Sequence, residues 1–252
     1  MTVAAACRPG AVVTGGSRGI GAAVAVALAA DGYDVVLSYR TRADEAADVV
    51  RACESHGVRA TAVCADAGTD EGVAALFAAA DDHLDELRVL VNNAGVLPAP
   101  STIEGIDRDR VMGVMALNAV GPLLHARAAV RRMSTASGGA GGVVVSISSR
   151  AAVRGAAGEF LDYGMSKAAV DLMTVGLAQE VAACGIRVVG VRPGLIDTDM
   201  NASQPDRLER LLSTVPLQRA GTAWEVAEAV RWLASPAAGY ITGVTLDVSG
   251  GR

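Results

Sequence analysis

Short, continuously apolar runs alternate along this chain with longer stretches in which apolar residues return at helical spacing. The runs at 11–14, 34–37, 58–64, 89–91, 143–147, 186–191 and 244–248 are rich in Val and predict strands. The stretches at 20–30, 43–55, 70–84, 108–132, 163–183 and 223–234 predict helices, the first two stopped by Gly32 and Gly57. Strands that are apolar on both faces must be covered on both faces. The pattern therefore predicts an α/β fold, a doubly wound parallel sheet of about seven strands with helices on either side and right-handed crossovers. Ligands of such sheets sit beyond the carboxyl ends of the strands, where the strand order reverses. No repeat and no linker divides the chain, so residues 1–252 are expected to form one domain. The one low-complexity piece, 137–142 (S-G-G-A-G-G), reads as a surface loop.

Composition sharpens this picture. Apolar residues make up 51% of the chain and aromatics only 3%, so the core is built from Ala, Val, Leu and Ile. That suits a parallel sheet under helices better than an aromatic-rich sandwich. With 22 basic and 27 acidic residues the net charge is −5. The absence of a long basic run argues against nucleic acid and against an anionic membrane surface as partners. No apolar stretch approaches the ~20 residues of a membrane span, and residues 1–10 lack an apolar run of signal-peptide length, so the cytoplasm is the expected compartment. Cys7, Cys53, Cys64 and Cys184 form no C-x-x-C pair and no cluster with His56, His83 and His125. No metal is expected.

After the first strand, Thr14-Gly15-Gly16-Ser17-Arg18-Gly19-Ile20-Gly21 opens the first helix. Glycines permit positive φ and close backbone approach, and the helix N-terminus behind them offers free N–H groups to a phosphate. The spacing is G-x-x-x-G-x-G, which differs from the general dinucleotide fingerprint G-x-G-x-x-G. The second strand ends Ser38-Tyr39-Arg40. Folds that bind NAD place an acid there to hold the ribose 2′-hydroxyl; here the position carries Arg40, and Arg18 lies inside the turn. Two guanidinium groups can bracket a 2′-phosphate, so NADP(H) is expected in preference to NAD(H).

Tyr163 and Lys167 stand at i and i+4 on a predicted helix and share a face. A free phenol, with a pKa of about 10, is a weak acid–base catalyst at neutral pH, and a neighbouring cation favours the phenolate. A tyrosine tuned in this way can give a proton to a carbonyl oxygen as a hydride reaches its carbon. The fifth predicted strand runs into Ser148 and Ser149, and a hydroxyl there can hydrogen-bond the same oxygen.

Together these residues resemble the short-chain dehydrogenase/reductase family over about 240 residues. The T-G-x-x-x-G-x-G turn is Thr14–Gly21, N-N-A-G is Asn92–Gly95, L-N-A is Leu117–Ala119, and P-G-x-I-x-T is Pro193–Thr198. The glycine-rich end matches Tyr240–Gly243 and Asp247 to Gly251. The resemblance implies a single Rossmann domain with Asn118, Ser149, Tyr163 and Lys167 as its catalytic set. It also implies a cofactor site made of Gly15, Ser17, Arg18, Gly19, Ile20, Gly21, Tyr39, Arg40, Asp66, Ala67, Asn93, Ala94, Gly95, Tyr163, Lys167, Pro193, Gly194, Ile196 and Thr198. In that scheme Lys167 holds the nicotinamide ribose, Ser149 orients the substrate oxygen, Tyr163 moves the proton, and Asn118 holds a water linking Lys167 to solvent. The interval from Ser149 to Tyr163 is one residue longer than the family's common spacing, which leaves Ser148 as a rival hydroxyl and locates the extra residue in Gly158–Asp162. Glu159 and Asp162 in that stretch either touch substrate or face water, and water is the expectation.

The substrate is expected to be a small carbonyl or alcohol compound. The chain resembles 3-oxoacyl-carrier-protein reductases and sugar or polyol dehydrogenases about equally. The segment 200–221, with Asp206, Arg207, Glu209, Arg210 and Arg219, would form a short polar lid. Arg127, Arg131 and Arg132 could meet an acidic acyl carrier protein, or serve as the cations that a helix C-terminus favours. The resemblance implies a homo-oligomer, tetramer or dimer, built through the long helices and the last strand. A protein that binds NADP(H) without turnover, as a sensor or scaffold, is the alternative from another class.

Overall fold

The computed structural model describes residues 7–199 and 210–252. Seven strands form one parallel sheet: β1 (Pro9–Val13), β2 (Asp34–Tyr39), β3 (Ala60–Cys64), β4 (Glu86–Asn92), β5 (Gly142–Ile147), β6 (Ile186–Pro193) and β9 (Val244–Val248), in the order β3-β2-β1-β4-β5-β6-β9. Between them run α1 (Gly19–Ala30), α2 (Ala43–Glu54), α3 (Asp70–His83), α4 (Arg108–Met115), α5 (Gly121–Met133), α6 (Ala151–Arg154), α7 (Leu161–Val181) and α8 (Ala223–Ala234). A separate two-stranded pair joins β7 (Ile196–Asp197) to β8 (Gly221–Thr222).

The double winding follows from the strand pattern. Successive side chains point to opposite faces, and both faces here are apolar. Val13, Leu37, Val89 and Val145 pack with Val24 and Leu28 of α1, Val49 of α2 and Val230 of α8. Val12, Val36, Leu90, Val144 and Val188 pack with Leu76 and Phe77 of α3, Ala126 and Met133 of α5, and Val181 of α7. Cys53 is one of these core residues, and burial pushes its thiol up to about 12, the behaviour of a small inert side chain. Among the described residues no helix is long and apolar enough to cross a membrane.

Two elements differ from the pattern-based expectation. The helix expected over 108–132 is α4 and α5 joined by a five-residue π turn, Ala116–Val120. Pro122 has no N–H to return to the carbonyl of Asn118 four residues back, so the ladder slips at that point. Gly121 allows close approach, since a Cβ there would lie 2.3 Å from the Ala67 carbonyl. The short helix α6, between Ser149 and Tyr163, has no apolar period to announce it.

The strand order reverses between β1 and β4, and the turns that follow these two strands are clipped together. The Thr14 hydroxyl accepts the N–H groups of Asn93 (2.9 Å) and Ala94 (3.0 Å). The Asn93 amide donates to the carbonyls of Thr14 and Gly15, each at 2.9 Å. The Ser38 hydroxyl near the carboxyl end of β2 accepts the Gly15 N–H at 3.1 Å.

Candidate active site

Two cavities open at the carboxyl ends of the strands. The first, of about 320 Å³, is lined by Gly15, Ser17, Arg18, Gly19, Ile20, Tyr39, Arg40, Asp66, Ala67, Asn93, Ala94, Gly95 and Thr198. The second, of about 660 Å³, is lined by Ser148, Ser149, Tyr163, Lys167, Pro193, Gly194, Ile196 and Thr198, among others. Ile20, Asn93, Gly95 and Thr198 border both, so the two form one cleft along the sheet edge. All the expected site residues line it except Gly21 and Asn118.

The glycine turn is shaped to admit a bulky anion. Gly15 and Gly19 have φ of +62° and +55°, in the left-handed region that favours glycine. Helix α1 begins behind them with no side-chain cap and no acid in its first turn, so its N–H groups are left to a ligand. Gly21 plays a packing part. It is buried, and a Cβ there would lie 2.3 Å from the Gly15 carbonyl and 2.4 Å from the Asn93 amide. The two arginines flank the cavity, Arg18 3.0 Å from Asp199 and Arg40 3.8 Å from Asp66. These residues fit a dinucleotide carrying an extra phosphate.

The opposite half of the cleft carries Tyr163 and Lys167. Lys167 is 4% exposed, and its ammonium donates to the Ile147 carbonyl at 2.8 Å. Burial lowers its pKa to about 8, partly opposed by the charge of Asp171. The same ammonium lies 5.8 Å from the centre of the Tyr163 ring, whose residue is half-buried at the cavity wall. Gly95 leaves the room these groups need, since a Cβ there would come within 3.2 Å of Asn118 Oδ1 and 3.5 Å of Lys167 Nζ.

The two serines are distinguished by their partners. Ser148 is buried and its hydroxyl donates to the Lys167 carbonyl at 3.2 Å. Ser149 is half-buried on the cavity wall, and its hydroxyl oxygen accepts the Ala151 N–H at 3.1 Å, at the start of α6. Asn118 is fully buried. Its amide oxygen accepts the Val96 N–H (2.8 Å), and its amide nitrogen donates to the Val96 carbonyl (2.9 Å) and to the Ser166 hydroxyl (3.2 Å). The side chain therefore bolts the segment after β4 to α7 and has no face on the cleft.

Comparisons with known proteins identify the family. The family model described as Enoyl-(Acyl carrier protein) reductase matches residues 15–252. An oxidoreductase of uncharacterised activity from Escherichia coli K12, YgfF, is 45% identical over 96% of this chain and 99% of its own. The 3-oxoacyl-[acyl-carrier-protein] reductase FabG of Pseudomonas aeruginosa is 36% identical over 96% of each chain. Among solved structures, a short-chain dehydrogenase from Burkholderia cenocepacia in complex with NADP superposes with a TM-score of 0.90, at 35% identity over 97% of each chain. The chain belongs to the short-chain dehydrogenase/reductase family.

For a short-chain dehydrogenase/reductase, the wall above Tyr163 holds residues that the motifs did not reveal. Asp162, expected to face water, is instead buried at 2% exposure in a two-pronged ion pair with Arg110. The arginine was legible only as a charge in a polar helix start. Glu159 is half-buried and paired with Arg210. Arg150, Arg154 and Arg252 also line the cavity, and nothing in their local spacing marks them; Arg210, expected in the lid, lines it too. Arg132 is tied to Asp81 at 2.5–2.6 Å and lies 4.8 Å over the Phe77 ring, whereas Arg127 and Arg131 are exposed. Of the expected lid, Asp206, Arg207 and Glu209 lie outside the described residues.

Proposed function

We propose that this protein is an NADPH-dependent reductase of ketones or 3-oxoacyl thioesters, able to run in reverse as an alcohol dehydrogenase. The observation that carries this reading is the continuity of the cleft: Ile20, Asn93, Gly95 and Thr198 belong both to the glycine cavity and to the wall bearing Tyr163 and Lys167. NADP(H) over NAD(H) is supported by Arg18 and Arg40 beside the first cavity, and by the NADP held in the Burkholderia relative.

The residues divide the work. The N–H groups at the start of α1 and the glycines take the pyrophosphate, Asp66 and Ala67 border the adenine, and Arg18 and Arg40 meet the 2′-phosphate. Ile196 and Thr198 meet the carboxamide. When bound, the dinucleotide supplies or accepts the hydride. Lys167 holds ribose hydroxyls, and its charge favours the phenolate of Tyr163. Ser149 donates to the substrate oxygen. Tyr163 gives that oxygen a proton in reduction and takes it back in oxidation. Any water that Asn118 holds on the way to Lys167 is held by its main-chain carbonyl, which Pro122 cannot bond, since its amide is committed elsewhere.

Acyl carrier protein is a candidate partner, because Arg127 and Arg131 are exposed on α5 and the Pseudomonas relative is named for such a substrate. Sugars and polyols are the second substrate class. Homo-oligomerisation is supported by exposed Met112, Leu123 and Leu172 on the long helices and by Val244 and Leu246 on β9. The cytoplasm is the compartment this chemistry suits.

The test is Tyr163→Phe, assayed by NADPH absorbance against a panel of ketones. Turnover is expected to fall roughly 10²–10⁴-fold with NADPH affinity nearly unchanged. A variant that keeps most of its rate would remove Tyr163 from the mechanism. A wild-type protein that binds NADPH and reduces nothing would favour the sensor or scaffold.

A further inference from the structure

The half of the cleft beyond Tyr163 is strongly cationic in a chain whose net charge is −5. Among its described lining residues are Arg150, Arg154, Arg210, Arg252 and Lys167, against the single carboxylate side chain of Glu159. Arg252 is engaged in contacts of its own, and two more of these charges are matched by carboxylates. Arg150 pairs with Asp247, and Arg210 with Glu159. Lys167 lies beneath the acid–base site. Arg154, at the end of α6, has no carboxylate partner among the described residues and is exposed at the cavity mouth. The first cavity has its own cations in Arg18 and Arg40, so the cofactor's phosphates do not account for these.

The backbone that presents Arg154 is unusual as well. The loop between α6 and α7 holds Gly155, Ala156 and Gly158 at φ of +78°, +46° and +73°. Ala156 is strained in that region, and such strain collects where a ligand clamp is built. This loop lies in the interval that separates Ser149 from Tyr163. It brings Arg154 and Glu159 to one side of the cavity, while Arg210 arrives from the segment after β7.

We propose that the substrate of this enzyme is an anionic carbonyl compound, an oxo acid or the matching hydroxy acid, whose carboxylate is bound by Arg154 and Arg210. The proposal rests on the oxidoreductase reading above and adds its substrate class. The carboxylate completes the charge of Arg154 and competes with Glu159 for Arg210. Leu97, Phe160, Leu195 and Leu211 supply an apolar wall for the carbon skeleton. A fork of guanidinium donors recognises a carboxylate by charge and shape together, and a cationic cleft raises the local concentration of anions. The nicotinamide end of the cofactor would take part of the cavity of about 660 Å³, and the remainder matches a small molecule.

The experiment uses the full-length protein with NADPH and a series of keto acids, the carbonyl and carboxylate at graded separations, each beside its neutral methyl ester. The best acid is expected to exceed its ester by about tenfold or more in kcat/KM, with an advantage that shrinks as salt is raised. In Arg154→Gln and Arg210→Gln the ratio of acid to ester is expected to collapse to within about twofold, while NADPH binding, measured by fluorescence, reports that the fold is kept. Esters reduced as well as acids would overturn the substrate class and leave the oxidoreductase reading standing. Failure of every ketone despite NADPH binding would sink both. A preference for a 3-oxoacyl coenzyme A thioester over its neutral N-acetylcysteamine counterpart, without any preference for acids, would place the anion on a distant phosphate and overturn the carboxylate assignment.

Discussion

Arg110, in the first turn of α4, grips both carboxylate oxygens of Asp162, the residue before Tyr163, with Nε and Nη2 at 2.7 and 3.3 Å. The pair is 19% and 1% exposed on its two side chains. Asp162 also accepts the N–H of Tyr163 at 3.0 Å, at the start of a helix whose capping position is Phe160, which makes no side-chain cap. One ion pair thus ties α4, which leads into the turn holding Asn118, to the first turn of α7, which bears the phenol.

Asp162→Asn is expected to destabilise the fold by about 3 kcal/mol, because it leaves a guanidinium largely buried without its counterion. Replacing both partners, Arg110→Met with Asp162→Leu, is expected to recover most of that loss. Burial by itself would raise the Asp162 pKa, but the Arg110 guanidinium and the Tyr163 N–H outweigh it and hold the carboxyl below its usual range. The contribution is therefore complete above the unfolded carboxylate pKa of about 3.9 and is lost as the pH falls through the lower folded value. Urea titrations from neutral pH down into acid check both points, and a single variant as stable as the wild type would dismiss the pair as a structural tie.

Ser149→Ala is expected to lower turnover by roughly 10²–10³-fold, the effect of losing one oxyanion donor, with little change in stability. Ser148→Ala is expected to cost less than about tenfold, because that hydroxyl is committed to the Lys167 carbonyl and acts through packing. Steady-state kinetics of the two variants decide which hydroxyl meets the substrate. A larger loss in the Ser148 variant would exchange the roles.

The order of strands and helices was legible because apolar periodicity is a local signal, and Val13 or Leu37 reads as core wherever the sheet lies. The motifs were legible because their constraints are also local: positive φ at Gly15 and Gly19, and one helical turn from Tyr163 to Lys167. What failed was long-range. Asp162 read as a surface acid because its partner is 52 residues away, and no period links them. Ser148 and Ser149 are neighbours in sequence, and only the partners that the fold brings to them, the Lys167 carbonyl on α7 and the Ala151 N–H of α6, tell them apart. The break between α4 and α5 was the exception, for Gly121-Pro122 carried the signal and the apolar pattern overrode it.

Arg40→Ala is expected to weaken NADPH binding by about tenfold to a hundredfold, the worth of one or two charge-assisted hydrogen bonds, and to leave NADH binding within about twofold. Arg18→Ala should act in the same direction, with part of its effect coming from the loss of Asp199 as a partner. Titration of cofactor fluorescence with both nucleotides provides the ratio. Equal losses for NADPH and NADH would show that Arg40 serves the fold or the adenine and not the 2′-phosphate.

Lys167→Met is expected to abolish turnover and yet to stabilise the protein near pH 7. Burial lowers the lysine's pKa from 10.5 to about 8, so below pH 8 the folded state carries a buried ammonium at a cost of about 3 kcal/mol. Losing the hydrogen bond to the Ile147 carbonyl offsets about 1 kcal/mol of the gain on substitution. The sign follows from proton counts. Between about pH 8 and 10.5 the unfolded chain holds the proton that the folded chain has released, so wild-type stability rises with pH across that window. The advantage of the methionine variant should therefore be greatest at pH 8 and below and should be nearly gone by about pH 10. Thermal unfolding of both proteins at pH 7 and pH 10 measures it. A variant that melts below the wild type at pH 7 would mean that the ammonium is solvated or paired well enough to hold the fold together, and that its charge there is not a strain kept for the chemistry.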